Sequence, residues 1–272
     1  MKPSRTQRIA GGSVLALGFA FLYLPILLLM IYSFNESRLA TVWSGFSTKW
    51  YGELFRDRQI LSAAWVSVKI AFWTACGATV IGTMAALVMT RFHRFPGKTA
   101  FGALITAPLV MPEVILGLSL LLMLVSIGGL LGIPSKGVVA IWIAHVTLTL
   151  SFVTVVVSSR LSELDRSLEE AAMDLGANRL KVFFLITLPI IAPSLVSGWL
   201  LAFTLSLDDV VLASFLAGPD STTLPIKVFS SVRLGLSPKI NALATLMILI
   251  VSLGVVVGWW LSTRRQWEHR TR

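Results

Sequence analysis

The sequence predicts an all-α membrane protein with six transmembrane helices. Three observations carry this. Only 13% of the 272 residues are charged and 56% are hydrophobic, whereas a soluble domain carries about 25% charged residues. The apolar residues gather in six long runs, and crossing a hydrocarbon core takes roughly 20 apolar residues as helix. Within the runs polar and apolar residues do not alternate, so they read as helices and not as barrel strands.

The runs place spans at about 12–33, 65–90, 101–127, 137–158, 194–217 and 241–262. No charge falls between Arg8 and Glu36, Lys69 and Arg91, Lys136 and Arg160, Lys181 and Asp208, or Lys239 and Arg264. The stretch from Lys98 to Lys136 is interrupted only by Glu113. The first span is too long for the apolar part of a signal peptide, and no small-residue cleavage site follows it. Pro108 and Pro112 are expected to kink the third span and free backbone carbonyls there. Cys76 lies within the second span, and as the single cysteine it forms no internal disulfide; its expected role is packing.

The net charge of +10 could suggest nucleic acid, but the basic residues serve better to orient the chain. Lys2, Arg5 and Arg8 precede span 1, and Arg91, Arg94 and Lys98 join spans 2 and 3. Arg160, Arg166, Arg179 and Lys181 join spans 4 and 5, and Arg264, Arg265, Arg270 and Arg272 follow span 6. These segments share one side of a six-span chain and hold 14 of the 23 Lys and Arg residues. By the positive-inside rule both termini are cytoplasmic.

Between spans, the segment at 34–60 is expected outside, with Trp43, Trp50 and Tyr51 able to lie at the membrane interface as an amphipathic stretch. The links at 127–136 and 218–240 carry the turn residues of connections. Small residues recur every fourth position at Ala78, Gly82 and Ala86, and at Gly254 and Gly258. Such spacing lets helix backbones approach closely, either within the chain or against a second subunit.

The segment 160–193 is too polar at its start for membrane. Ser167 suits a helix N-cap, Glu169 and Glu170 favour the first turn, and Leu168, Ala171, Ala172 and Leu175 form one apolar face. Gly176 ends that helix, Asn178 caps a second, and Pro189 is expected to stop it. The apolar face could dock in a groove on a soluble partner or lie on lipid headgroups.

Glu170-Ala171-Ala172, then Gly176 after three residues, then Ile186-x-Leu188-Pro189 after nine more, resembles the EAA loop of binding-protein-dependent ABC importer permeases. That resemblance implies the type I ABC importer permease fold, with a coupling helix between helices 4 and 5. It implies one transmembrane permease domain over 1–272, with its core at about 61–262 and the coupling loop at 160–193. Glu170, Ala171, Ala172 and Gly176, with Leu175 on the same face, become the residues that couple to an ATPase. The stretches 42–57 (VWSGFSTKWYGELFRD), 105–122 (ITAPLVMPEVILGLSLLL), 206–219 (SLDDVVLASFLAGP), 221–238 (STTLPIKVFSSVRLGLSP) and 240–246 (INALATL) resemble polyamine importer permeases, those for putrescine first and spermidine next.

Three carboxylates interrupt apolar spans: Glu113, Asp208 and Asp209. An ionisable residue at a helix centre costs about 2.5–3.5 kcal/mol on insertion scales, so such groups face a cavity or a partner. A cationic substrate supplies the missing charge, and a diamine suits several carboxylates. Neighbouring residues on a helix point about 100° apart, so Asp208 is expected in the substrate pathway with Glu113, and Asp209 against a neighbouring helix or subunit. Trp43 and Tyr51 could hold an alkylammonium by cation–π attraction or anchor at the interface. His145 is expected to be a hydrogen-bonded structural residue.

Gly97-Lys98-Thr99 ends like a phosphate-binding loop, but position 92 is Phe where that loop needs Gly. The chain is thus expected to bind no ATP or metal and to catalyse no reaction. ATP and Mg belong to partner ATPases. The reading is an inner-membrane subunit of a bacterial importer that works with a homologous second permease, two ATPase subunits and an external binding protein. Its substrate is putrescine or a related polyamine, with spermidine or an opine-like compound as alternatives. An ion-coupled secondary carrier and a non-transporting ATPase tether are the competing classes.

Overall fold

The computed structural model describes the backbone of residues 5–38, 42–92, 95–235 and 237–270, and side chains from 11 to 253 and at 256, apart from Leu131 and Leu234 within those ranges. The Gly254 and Gly258 pair lies outside the described side chains. So do Lys2, Arg5, Arg8, Arg94, Arg264, Arg265, Arg270 and Arg272 of the orientation argument.

Among the described residues twelve α-helices follow in order: α1 (Arg5–Tyr32), α2 (Lys49–Arg56), α3 (Arg58–Arg91), α4 (Lys98–Val110), α5 (Glu113–Leu131), α6 (Val138–Glu163), α7 (Ser167–Asp174), α8 (Arg179–Val182), α9 (Leu188–Asp208), α10 (Val211–Leu216), α11 (Leu224–Leu234) and α12 (Pro238–Arg270). Segments 11–32, 58–91, 113–130, 138–163 and 179–208 are each long and apolar enough to cross a bilayer. The 33-residue α12 occupies the sixth expected span.

Two expected spans are broken. The third, read as one kinked helix over 101–127, is two helices separated at Met111 and Pro112. Met111 is extended (ψ 135°) because a residue before proline is pushed out of the α region, and Pro112 has no N–H to continue the ladder. The fifth, read as 194–217, starts earlier and ends at Asp208. Asp209 is extended (ψ 128°), and its carboxylate accepts the N–H of Ala213 at 2.9 Å, which restarts the chain as α10.

The helices group into two compact units, residues 1–60 with 230–272, and residues 61–229. In the first, α12 packs on α1 and α2. Asn35 organises the connection between α1 and α2: its side chain donates to Val42 O (2.6 Å) and accepts from the N–H groups of Ser37 and Ser44, while its carbonyl accepts the Trp50 indole N–H (2.7 Å). Asp57 pairs with Lys239 at 3.0 Å. Burial pushes the Asp57 carboxyl up, but the bond from Lys239 and the N–H groups of Ile60 and Gln59 outweigh it, so it sits below the ordinary aspartate range. Its contribution to stability is therefore full above that range and is lost as pH falls through the lowered native value.

In the second unit α6 is the central helix. One cluster joins Ile70, Leu116, Leu120, Ile141 and Leu212, and another joins Ala78, Ala86, Val153, Val157 and Ala202. Lipid tails are as apolar as these side chains, so close packing rather than hydrophobic transfer holds them. Ala78, Gly82 and Ala86 are used inside the chain, where α3 meets α6. A Cβ on Gly82 would stand 2.9 Å from Val153 Cβ and 3.0 Å from Leu150 O, and Thr154 Oγ1 donates to Gly82 O at 3.3 Å. Gly82→Leu is expected to destabilise the unit by about 1–3 kcal/mol through overpacking, read as a lower melting temperature in detergent.

Candidate functional site

Two sets of residues stand out, one in the segment 160–193 and one at the helix breaks. In the first, α6 ends at Glu163 and the Asp165 carboxylate accepts the Ser167 N–H at 2.9 Å. Asp165 therefore does the capping expected of Ser167, because the helix begins at Ser167 itself. The Asp165 carboxyl lies below its ordinary range for the same reason, the bonds it accepts from Ser167.

Gly176 closes α7 with φ +88°, in the left-handed region that favours glycine. Ala177 N–H reaches Ala172 O (3.1 Å) and Gly176 N–H reaches Met173 O (2.9 Å), the paired bonds of a Schellman stop. Asn178 then caps α8 by accepting Lys181 N–H at 2.8 Å. The chain does not stop at Pro189. A π turn over Phe183–Thr187 carries α8 directly into α9. Its wider i→i+5 register, with Leu188 N–H on Phe183 O, accommodates a proline in the first turn, where a missing N–H costs little.

Side chains sort sharply on α7, none of which is buried. Leu175 is 90% exposed, and Leu168, Met173 and Leu180 are exposed beside it. Ala171, Gly176 and Glu170 are exposed as well, and Ala172 is half-buried. Glu169 turns inward. Its Oε1 accepts from Arg91 Nη2 (2.9 Å) and Thr187 Oγ1 (2.7 Å). Arg91 Nη1 donates to Leu161 O (3.2 Å), and Arg166 donates to Thr90 O (2.7 Å). A cavity of about 680 Å³ opens beside this node, lined in part by Met173, Arg179 and Phe183.

The second set lies where the breaks occur. Glu113 is the first residue of α5, and Asp208 is the last of α9. Both are exposed, and neither has an ion-pair partner among the described residues. Glu113 is within electrostatic reach of Asp208, Asp209 and His145. The packing of α10 on α5 brings the breaks together; there Gly117 leaves room for Phe215, whose ring would stand 2.8 Å from a Cβ.

Asp209 differs from its neighbour. Its side chain is 5% exposed, with Oδ1 at 3.3 Å from His145 Nε2. His145 Nδ1 shares a hydrogen bond with Ser206 Oγ at 2.7 Å. His145 thus hydrogen-bonds α6 to the last turn of α9, and its other nitrogen lies beside the residue that caps α10. The sequence offered the two halves of this contact separately, His145 as a hydrogen-bonded structural residue and Asp209 against a neighbouring helix or subunit, but not their pairing through Ser206. The Glu169 contacts had no sequence signal, since Arg91 and Thr187 are 78 and 18 residues away.

Trp43 and Tyr51 lie in the first unit. Trp43 meets Tyr32 edge-on; Tyr51 packs its ring on Phe34 and shares a 2.7 Å hydrogen bond with Ser33. Cys76 accepts the Trp199 indole N–H at 3.5 Å.

A family model described as the binding-protein-dependent transport system inner membrane component matches residues 78–264. The chain belongs to this family. It is a multi-pass inner-membrane transport component and not an enzyme. It is 58% identical over 254 residues to the putrescine transport system permease protein PotI of Escherichia coli K12, covering 93% of this chain and 90% of that protein. It is 42% identical to the spermidine/putrescine transport system permease protein PotC of Haemophilus influenzae, covering 91% and 93%. A bacterial ABC transporter involved in import of the acidic polysaccharide alginate has the same fold, with TM-score 0.66 at 16% identity over 97% of this chain and 99% of that one. The architecture is the type I importer permease fold.

Proposed function

We propose that this chain is one of two permease subunits of an ABC importer that carries putrescine or a closely related polyamine into the cytoplasm. One observation carries the substrate: two exposed carboxylates, Glu113 and Asp208, stand at adjacent helix breaks in apolar spans. A diamine brings two ammonium groups to such a place. The 58% identity to a putrescine permease supports the same substrate.

In this reading both termini and the segment 160–193 face the cytoplasm. An external binding protein delivers substrate to a heterodimer of this chain and a similar permease. Two ATPase subunits bind ATP and Mg, close on each other, and through α7 turn the cavity outward. Glu170, Ala171, Ala172 and Leu175 form the docking surface, and Gly176 sets the angle at which the chain returns. Trp43 and Tyr51 are offered as pathway residues by their aromatic faces alone.

The test is uptake of radiolabelled putrescine and spermidine by a strain lacking this chain, with and without the chain restored. Restored putrescine uptake that requires ATP and the partner subunits is the expected result. Uptake by the reconstituted chain alone, driven by an ion gradient, would overturn it.

A further inference from the structure

We propose that Glu169, the glutamate beside the docking surface, is the positioning residue through which movement of α7 reaches the membrane helices. The proposal rests on the reading that α7 docks on an ATPase, and its test separates the two.

The case begins with how α7 is held. None of its residues is buried, and its packing is chiefly on α8 and the π turn that follow it. Arg166, just before α7, donates to Thr90 O, and within α7 the tie is Glu169, whose one carboxylate oxygen takes both Arg91 and Thr187. Arg91 is the last residue of α3 and also holds Leu161 O near the end of α6. Thr187 is the last residue of the π turn that leads into α9. α7 is therefore joined at one carboxylate to α3 and to the turn that leads into α9, and through Arg91 to α6.

This node differs from a surface ion pair. Arg91 and Glu169 are only 17% and 15% exposed, and Thr187 is buried. A pair this sheltered, though it borders the cavity, holds its geometry because separating its members leaves a poorly solvated charge behind. The π turn makes the attachment mechanical. Such turns are rare and recur at functional sites within helices. A pull on Glu169 acts on that turn through the Thr187 hydroxyl and on α3 through the guanidinium. Glu170, about 100° further round the helix, is left free to meet the ATPase. Two adjacent glutamates thus divide the work, one facing the motor and the other facing the transmembrane helices.

The experiment uses the complete importer in proteoliposomes, with both permeases, the ATPases and the binding protein. Three quantities are read: ATPase co-purification, putrescine uptake, and ATP hydrolysed per putrescine carried. Glu169→Gln and Arg91→Gln are expected to retain the ATPases while ATP hydrolysed per putrescine rises about tenfold, the scale of an interrupted coupling network. A purely structural role would lower the yield of complex without changing that ratio. Thr187→Val keeps the volume and removes only the hydroxyl; it is expected to raise the ratio about threefold even if the charged variants fold poorly. The exchange Arg91→Glu with Glu169→Arg is expected to recover part of the loss. An unchanged ratio in Thr187→Val and Glu169→Gln would overturn the proposal. An Ala171→Cys variant that crosslinks to the ATPase shows that the docking reading survives such a failure, and absence of the crosslink shows that the docking reading itself has failed.

Discussion

Glu170→Lys is expected to abolish putrescine uptake while leaving the chain folded, inserted and abundant. Glu170 is exposed on a helix that buries nothing. Lysine has nearly the same helix propensity as glutamate, so the change removes only a favourable charge near a helix N-terminus, worth about 0.3–1 kcal/mol. At a docking surface the loss is larger. Breaking a desolvated charge contact costs about 2–5 kcal/mol, much of it from the partner group left unpaired, and 2 kcal/mol alone lowers affinity roughly 30-fold. The checks are the amount of chain in the membrane, the ATPases recovered with it, and uptake. Normal abundance, no ATPase and background uptake are expected. Uptake at the parental rate would take α7 out of the energy path. The contrast with Glu169→Gln is diagnostic, since that variant keeps its ATPases and wastes their ATP.

The helical architecture was legible because the bilayer imposes a simple rule, that long charge-free stretches form apolar helices, and five helices in the expected runs are long and apolar enough to cross. The breaks were half-legible. Pro112 announced a disturbance, but whether a proline bends a helix or splits it depends on what the next residues can cap. Glu113 starts a new helix there. At the second break no proline is present, and the signal is Asp209 reaching Ala213. The Gly176 stop and the Asn178 cap were legible because each is a local backbone requirement. The division between Glu169 and Glu170 was not. Both are first-turn glutamates in sequence, and only the approach of Arg91 and Thr187 from distant helices turns one inward. The partnership of His145 with Ser206 and Asp209 is of the same kind. Periodicity finds faces, while tertiary packing decides what each face meets.

Asp208→Asn is expected to weaken putrescine transport about 10- to 100-fold in apparent affinity, the equivalent of one lost charge-assisted hydrogen bond of about 1.5–3 kcal/mol. Asparagine keeps the volume and removes only the charge. The position makes a second effect predictable. Asp208 ends α9, where the last carbonyls lack intrahelical donors and the helix dipole is negative. A carboxylate there is repelled by its own helix, by about 0.3–1 kcal/mol, and it has no cation to answer it among the described residues. The carboxylate therefore carries a cost that a bound ammonium relieves. Asp208→Asn is expected to melt slightly higher than the parent in detergent while it transports less, the trade-off of a residue kept for function. Asp209→Asn should behave in the opposite way. It disturbs a carboxylate that is buried, faces His145 and caps α10, so stability falls. Melting curves and putrescine uptake for both variants decide the matter. If Asp208→Asn loses stability as Asp209→Asn does, or if its uptake curve overlays that of the parent, Asp208 is a structural acid and the cation passes elsewhere.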